Sequence, residues 1–123
     1  MASIFEATAG KLVGPATGGT VTQADTSGKA TGVTLNSASG QITMDDAELV
    51  AGAEVSFTVT NSLVAATDVV VVNHGSAGTA GAYLVQANTL AAGSFKITVS
   101  NVSAGALSEA IVLNFVALKG ASS

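Results

Sequence analysis

Hydrophobic and polar residues alternate along several short segments of this chain, which is the pattern of β-strands that bury one face. Residues 53–61 (AEVSFTVTN) are the clearest example, because Val55, Phe57 and Val59 fall on one side of the predicted strand. The polar residues between them fall on the other side. Residues 93–102 (GSFKITVSNV) repeat the alternation. Both segments predict strands with one face in a core and one face in solvent.

Two further segments are apolar at consecutive positions. Residues 69–72 are four valines, and a short apolar run bounded by turn residues predicts a central strand that is buried on both faces. The glycine-rich residues 75–81 after it predict a turn, with the next strand returning alongside. In residues 108–119 both sides of the predicted strand are largely apolar, so we expect the core to cover one side and something else the other.

These segments belong to a series of about eight short strands, separated by glycine, asparagine and serine at the ~8–12-residue spacing of a sandwich or barrel. The sequence therefore predicts an all-β fold, an antiparallel two-sheet β-sandwich over residues 19–120. A jelly-roll-like arrangement is the first expectation and an immunoglobulin-like sandwich the second.

Residues 1–18 differ from this pattern, because glycines and Pro15 interrupt any regular element. Two apolar pairs stand out in this segment, Ile4 with Phe5 and Leu12 with Val13. We interpret the segment as an extended N-terminal arm whose apolar pairs contact a partner or a neighbouring subunit. The alternative is a frayed terminus, the common state of chain ends.

Charge restricts the possible partners. Only 10% of the residues are charged, and eight acidic residues against four lysines give a net charge of −4. Phosphate backbones and anionic membrane surfaces require clustered basic residues, so we expect neither nucleic acid nor membrane as a partner. There is no cysteine, and the N-terminus lacks the pattern of a secretory signal. A charge-poor surface is typical of a protein packed among neighbours.

Catalytic and ligand-binding patterns are weak. His74 and Asp68 are residue types found in hydrolytic triads, but six residues of extended strand separate them by about 20 Å. Asp45, Asp46 and Glu48 offer carboxylates for calcium, yet their spacing matches no EF-hand loop. The glycines of residues 75–81 lack the lysine and the helix of a phosphate-binding loop. We therefore expect no enzyme activity, no metal and no cofactor.

The strand sequences VSFTVTNS, ATDVVVVNH, GTAGAY, AGSFKITVSN and LSEAIVLNFVALKG resemble those of small structural proteins encoded by tailed bacteriophages. The resemblance extends over residues 19–120. It implies a capsid decoration (cement) protein, a β-sandwich homotrimer in the virion that binds the major capsid protein on the outer capsid surface and stabilises the head. A head-fibre or tail-fibre-like module for host attachment is the first alternative, and a glycan-binding accessory domain is the second.

Within this hypothesis each contact has candidate residues. The capsid-side candidates are the apolar side chains of the arm, Ile4, Phe5, Leu12 and Val13. The candidates for contacts between copies lie in the glycine-rich segment and on one face of the last strand; they are Gly75, Gly78, Gly81, Val112, Val116 and Leu118.

Overall fold

Two four-stranded β-sheets pack face to face in the computed structural model, which describes residues 18–120. The predicted β-sandwich is confirmed, and each of the eight predicted strands is present. The strands are β1 (Gly19–Thr22), β2 (Val33–Thr34), β3 (Ser39–Thr43), β4 (Glu54–Thr60), β5 (Val69–Ser76), β6 (Tyr83–Ala91), β7 (Ser94–Asn101) and β8 (Val112–Leu118). A single 3₁₀ turn, Gly28–Ala30, lies between β1 and β2.

One sheet has the strand order β1-β3-β8-β5 and is called the β8 sheet below; the other has the order β2-β4-β7-β6 and is called the β7 sheet. The first six strands alternate between the two sheets along the chain. Neighbours pair antiparallel except at the first strand of each sheet, since β1 is parallel to β3 and β2 is parallel to β4. This departs from the predicted antiparallel arrangement. The reason is that a strand of the opposite sheet, rather than a hairpin, connects each of these two pairs.

The core lies between the sheets and contains the side chains that the alternation placed inward. Phe57 on β4 and Phe95 and Ile97 on β7 are at most 2% exposed. They face Leu113 and Phe115 on β8, and the rings of Phe95 and Phe115 lie with centroids 5.7 Å apart. Burying one such side chain contributes about 1.5–3 kcal/mol, so the core strongly favours this register over a shifted one.

The valine strand β5 does not lie where the sequence predicted. It is an edge strand that pairs with β8 on one side only within the described residues. Val70 points inward and is 9% exposed, whereas Val69 and Val71 point outward and are 56% and 51% exposed. The following loop takes the chain across to the β7 sheet, so β6 pairs with β7 and not with β5. The predicted hairpin and the predicted burial on both faces are therefore wrong.

The last strand, β8, lies inside its sheet between β3 and β5. Its inward residues Leu113, Phe115 and Ala117 are buried, together with Ile111 just before the strand. The outward residues of β8 are only partly buried. Within residues 18–120, the core covers the inner face of β8, and no second layer covers its outer face as the sequence had led us to expect.

Candidate interaction surface

An apolar strip lies on the outward face of the β8 sheet, on its two neighbouring strands β5 and β8. The pairing register sets Val69 beside Leu118 and Val71 beside Val116, so the four side chains are contiguous. The two β5 valines are more than half exposed, and the two β8 residues are partly exposed. The apolar strip consists of Val69, Val71, Val116 and Leu118. Exposed apolar side chains that adjoin one another mark contact sites more often than isolated ones do.

The charged groups at one end of the apolar strip are paired. Asp68 precedes β5, and its carboxylate accepts hydrogen bonds from Lys119 Nζ at 2.7 Å, Gly120 N at 3.0 Å and Ala65 N at 2.9 Å. Burial raises the pKa of Asp68, but these hydrogen bonds outweigh that effect and hold the pKa below its usual value. Because the carboxylate is buried and satisfied, it does not oppose the docking of an apolar partner beside it.

The edge of the β8 sheet next to the apolar strip is long, and its one irregularity is a β-bulge at the far end, between His74 and Ser76. β5 is eight residues long and contains neither a charged residue nor a proline. Proteins usually block edge strands with charges, prolines or short length, because free main-chain groups pair with other chains. β1, at the opposite edge of the same sheet, is four residues long. The two edges of this sheet are therefore protected to different degrees.

The outward face of the β7 sheet is mostly polar. At its centre the Thr98 hydroxyl lies 2.7 Å from the Ser56 hydroxyl and accepts a hydrogen bond from Asn88 Nδ2 at 3.0 Å. Glu54 and Lys96 also lie on exposed positions of this sheet. A surface whose polar groups are solvated or bonded to one another gains little from being covered. The four-residue apolar strip lies on the β8 sheet, whereas the large apolar side chains exposed at the β7 sheet are Leu84 on β6 and Val102 just after β7.

The predicted contact residues fall into separate places. Val116 and Leu118 are in the apolar strip, where the structure adds Val69 and Val71, which the sequence had assigned to a buried central strand. Val112 shares their outward face but lies at the far end of β8, beside Ser76. Val69 and Val71 alternate with Val70 and Val72, so the two pairs point to opposite faces. This alternation indicates that Val69 and Val71 are exposed only once β5 is known to be an edge strand.

The three predicted glycines lie at the other end of β5, away from the apolar strip. Gly75 is packed against a neighbouring side chain, since a Cβ atom there would be 2.4 Å from Asn114 Nδ2. Gly78 has φ +76°, and a Cβ atom there would lie 2.6 Å from Ile111 Cγ2. Gly81, with φ +81°, has open space at its Cβ position. Contacts within the domain therefore account for Gly75 and Gly78, while only Gly81 leaves room for a neighbour.

The capsid-side candidates Ile4, Phe5, Leu12 and Val13 lie outside the described residues.

A polar cluster that sequence reasoning missed lies beside the loop between β5 and β6. Glu109 accepts hydrogen bonds from Thr79 N at 2.9 Å, from the Thr79 hydroxyl at 2.8 Å and from the Tyr83 hydroxyl at 2.8 Å. These bonds lower the pKa of Glu109, and burial together with Glu109 raises the pKa of Tyr83. The ring of His74 meets Tyr83 edge to face at 5.4 Å, and both line a cleft of about 250 Å³.

Asp68 and His74 do not form a hydrolytic triad. Asp68 precedes β5 and is bonded to Lys119, whereas His74 lies near the end of β5, so the strand separates them as the sequence predicted. Glu109 is occupied in holding the loop, because three of its acceptor positions are used. Its main-chain carbonyl oxygen also accepts from the buried Lys29 ammonium at 2.6 Å. Burial lowers the pKa of Lys29, and nearby carboxylates oppose that effect.

The acidic residues considered for calcium do not converge. Asp45 is buried, and its carboxylate accepts a hydrogen bond from Ala47 N at 2.7 Å, which stabilises a local turn. Asp46 and Glu48 are exposed. Across residues 18–120, no three histidine, cysteine, aspartate or glutamate side chains lie close enough to hold a metal ion. In the same part of the chain, no helix has the length and hydropathy needed to span a bilayer.

Comparison of this chain with protein-family models, curated proteins and solved structures finds no match in any of the three.

Proposed function

We propose that this protein is a structural component of a tailed-phage virion, which decorates the outer surface of the capsid as a homotrimer and stabilises the head. The observation that supports this proposal is the apolar strip on one outer face, beside an edge strand without charged residues or prolines, in a charge-poor domain. Such a surface favours contact with protein. The phage and capsid assignment rests on the resemblance of the strand sequences.

The size of the apolar strip supports an assembly with several contacts per molecule. Burying the exposed part of Val69 or Val71 contributes about 1 kcal/mol and the less exposed Val116 and Leu118 contribute less, so the strip contributes at most about 4 kcal/mol. Because association also costs translational and rotational freedom, the strip alone gives a dissociation constant weaker than about 1 mM. A ring in which each copy makes two contacts, and which then attaches to the capsid at three points, gains the rest from effective concentration.

The proposal assigns a contact to four of the candidate residues. Val116 and Leu118 lie in the contact between copies, and Ile4 and Phe5 contact the major capsid protein. The protein transforms no substrate in this role; it acts by covering subunit boundaries on the capsid surface and resisting their separation.

Co-sedimentation with phage heads tests the decoration function. Heads of the encoding phage, assembled without this protein, are mixed with purified wild-type protein and with the variant Thr60→Asp, which alters the exposed face of the β7 sheet. We expect both proteins to sediment with the heads and to raise the temperature at which the heads release DNA. A protein that stays in the supernatant contradicts the proposal, and one that binds only tails supports the fibre alternative.

The cleft beside the β5–β6 loop favours a second candidate function, binding of a small glycan. The rings of His74 and Tyr83 line the cleft, and aromatic side chains next to polar groups are typical of such sites. A glycan-array screen of the wild type and His74→Ala tests this candidate. Binding that the variant loses supports it, whereas a wild type that binds no glycan rejects it.

A further inference from the structure

Strand β5 has the sequence of a central strand but occupies an edge position. Its outward residues Val69 and Val71 and its inward residues Val70 and Val72 are all apolar, so a neighbouring strand would have apolar contacts on both faces. Strands that are buried on both faces usually show continuous runs of this kind, whereas half-buried strands alternate. Within the described residues, no strand pairs with β5 on the side away from β8, although β6 of the other sheet lies close to it.

We infer that residues 1–17 of one copy pair with the open edge of β5 in the next copy. This inference deepens the proposed function, on which it rests for the presence of several copies, because it names the segment that meets the apolar strip. Extended segments commonly add to free sheet edges in this way, with main-chain hydrogen bonds giving affinity and alternate side chains giving specificity.

The positions of the two edges favour exchange between copies. Residues 1–17 join the domain at Gly18, next to β1, and β1 and β5 are the opposite edges of the β8 sheet. To reach β5 of its own copy, the segment would have to pass across a sheet about 14 Å wide. Two copies placed side by side instead bring the β1 edge of one next to the β5 edge of the other. Contacts between two different surfaces of this kind close into rings when the rotation allows it.

The pair Leu12 and Val13 fits the two faces of β5. Consecutive residues of a strand point to opposite faces, so one of the pair would pack on the apolar strip and the other beside Val70 and Val72. The pair precedes Gly18 by five and six residues, a span of about 16–20 Å for an extended chain. That span reaches the adjoining edge of a neighbouring copy. Ile4 and Phe5 lie further along the segment and stay available for the capsid.

A complementation experiment tests the exchange. The donor variant is the double substitution Leu12→Asp and Val13→Asp, and the acceptor variant is Val71→Asp; each alone should be monomeric by native mass spectrometry. Mixed in equal amounts, they should form a 1:1 heterodimer, because the intact segment of the acceptor variant meets the intact β5 edge of the donor variant. Gln86→Asp, on the exposed edge strand β6, is the matched control and should keep the wild-type oligomer.

Other outcomes overturn the inference. A donor variant that forms wild-type oligomers shows that the segment does not hold copies together, and a mixture that stays monomeric shows that the two surfaces do not meet. Val69→Asp is the second acceptor variant, and thermal melts select the acceptor that stays folded. Head binding is measured separately: wild-type oligomers that fail to bind heads reject decoration but leave the exchange standing, whereas head binding by an oligomeric donor variant rejects only the exchange.

Discussion

The two outer faces of the sandwich share a backbone architecture and differ in their side chains. The β8 sheet exposes the apolar strip at β5 and β8, whereas the β7 sheet exposes mainly hydroxyl, amide and charged groups, with Leu84 and Val102 as its large exposed apolar side chains. Both sheets bury their inner faces in the same core, so the difference does not come from the requirements of folding. The core therefore does not dictate the outward positions, and the β8 sheet exposes a group of adjoining apolar side chains there.

The energetic consequences of exposure differ between the faces. On the β7 sheet, Thr98 forms hydrogen bonds with Ser56 and Asn88. A partner that covered these side chains would have to replace the hydrogen bonds that they make with water. On the β8 sheet, the side chains of Val69 and Val71 form no hydrogen bonds with water. Covering them contributes about 25 cal/mol per Å² of apolar surface to the free energy of association. Substitutions that exchange the chemistry of the two faces should therefore affect assembly on one side and only local stability on the other.

The largest effect is expected from Val116→Asp, at the centre of the apolar strip. A carboxylate there must lose water when a partner covers it, which costs more than about 2 kcal/mol, so the dissociation constant of the oligomer should rise at least about 30-fold. Sedimentation equilibrium measures the constant, and a thermal melt verifies the fold. Thr58→Asp is the matched control, since Thr58 has similar partial burial on the β7 sheet. Wild-type oligomers of Val116→Asp would show that the strip is not a contact.

A smaller effect is expected from Val69→Thr combined with Val71→Thr. Threonine keeps the branched shape that suits a strand but replaces one methyl group by a hydroxyl. Each substitution removes about 0.8 kcal/mol of apolar burial, so the two together should weaken the oligomer roughly tenfold. The reverse change on the other sheet, Thr58→Val with Thr60→Val, should leave the dissociation constant of the oligomer, measured by sedimentation equilibrium, unchanged. Equal effects of both pairs would mean that the two faces do not differ in function.

Thr98→Val should affect stability without affecting assembly. The substitution removes the hydroxyl between Ser56 and Asn88, and the free energy of unfolding should fall by about 1–2 kcal/mol because both partners lose a hydrogen bond. Urea denaturation measures this change, and native mass spectrometry should show the wild-type oligomer. Loss of the oligomer at unchanged stability would indicate that the polar face contacts another subunit.

The smallest effect is expected from acid, through Asp68 at the end of the apolar strip. Its pKa is lower in the folded protein than in the unfolded chain, so the unfolded chain binds more protons as the pH falls below about 4. The stability that Asp68 contributes is present above the unfolded pKa and is lost as the pH falls through the folded pKa. Glu109 should act in the same direction.

Urea denaturation between about pH 2.5 and pH 7 measures this dependence. Asp68→Asn keeps the size of the side chain but cannot titrate, so its stability should vary less with pH than that of the wild type. The same slope in both proteins would show that the Asp68 carboxylate does not contribute to acid sensitivity.

The sequence by itself determined which segments form strands and which residues face the core. Phe57, Phe95, Ile97 and Leu113 are buried as their alternation predicted. A period of two is enough for this result, because adjacent side chains of a strand point to opposite faces and the apolar ones gain most from burial.

Only the tertiary structure decided which sheet each strand joins and where the edges lie. The valine run of β5 was compatible with a central strand, and the packing placed it at an edge, where Val69 and Val71 are exposed. The same applies to Glu109 and Tyr83, which meet from distant parts of the sequence. The physical reason is that the sequence pattern of a strand is the same in either sheet and at a central or an edge position. Its neighbours are chosen by contacts between segments that local periodicity does not record.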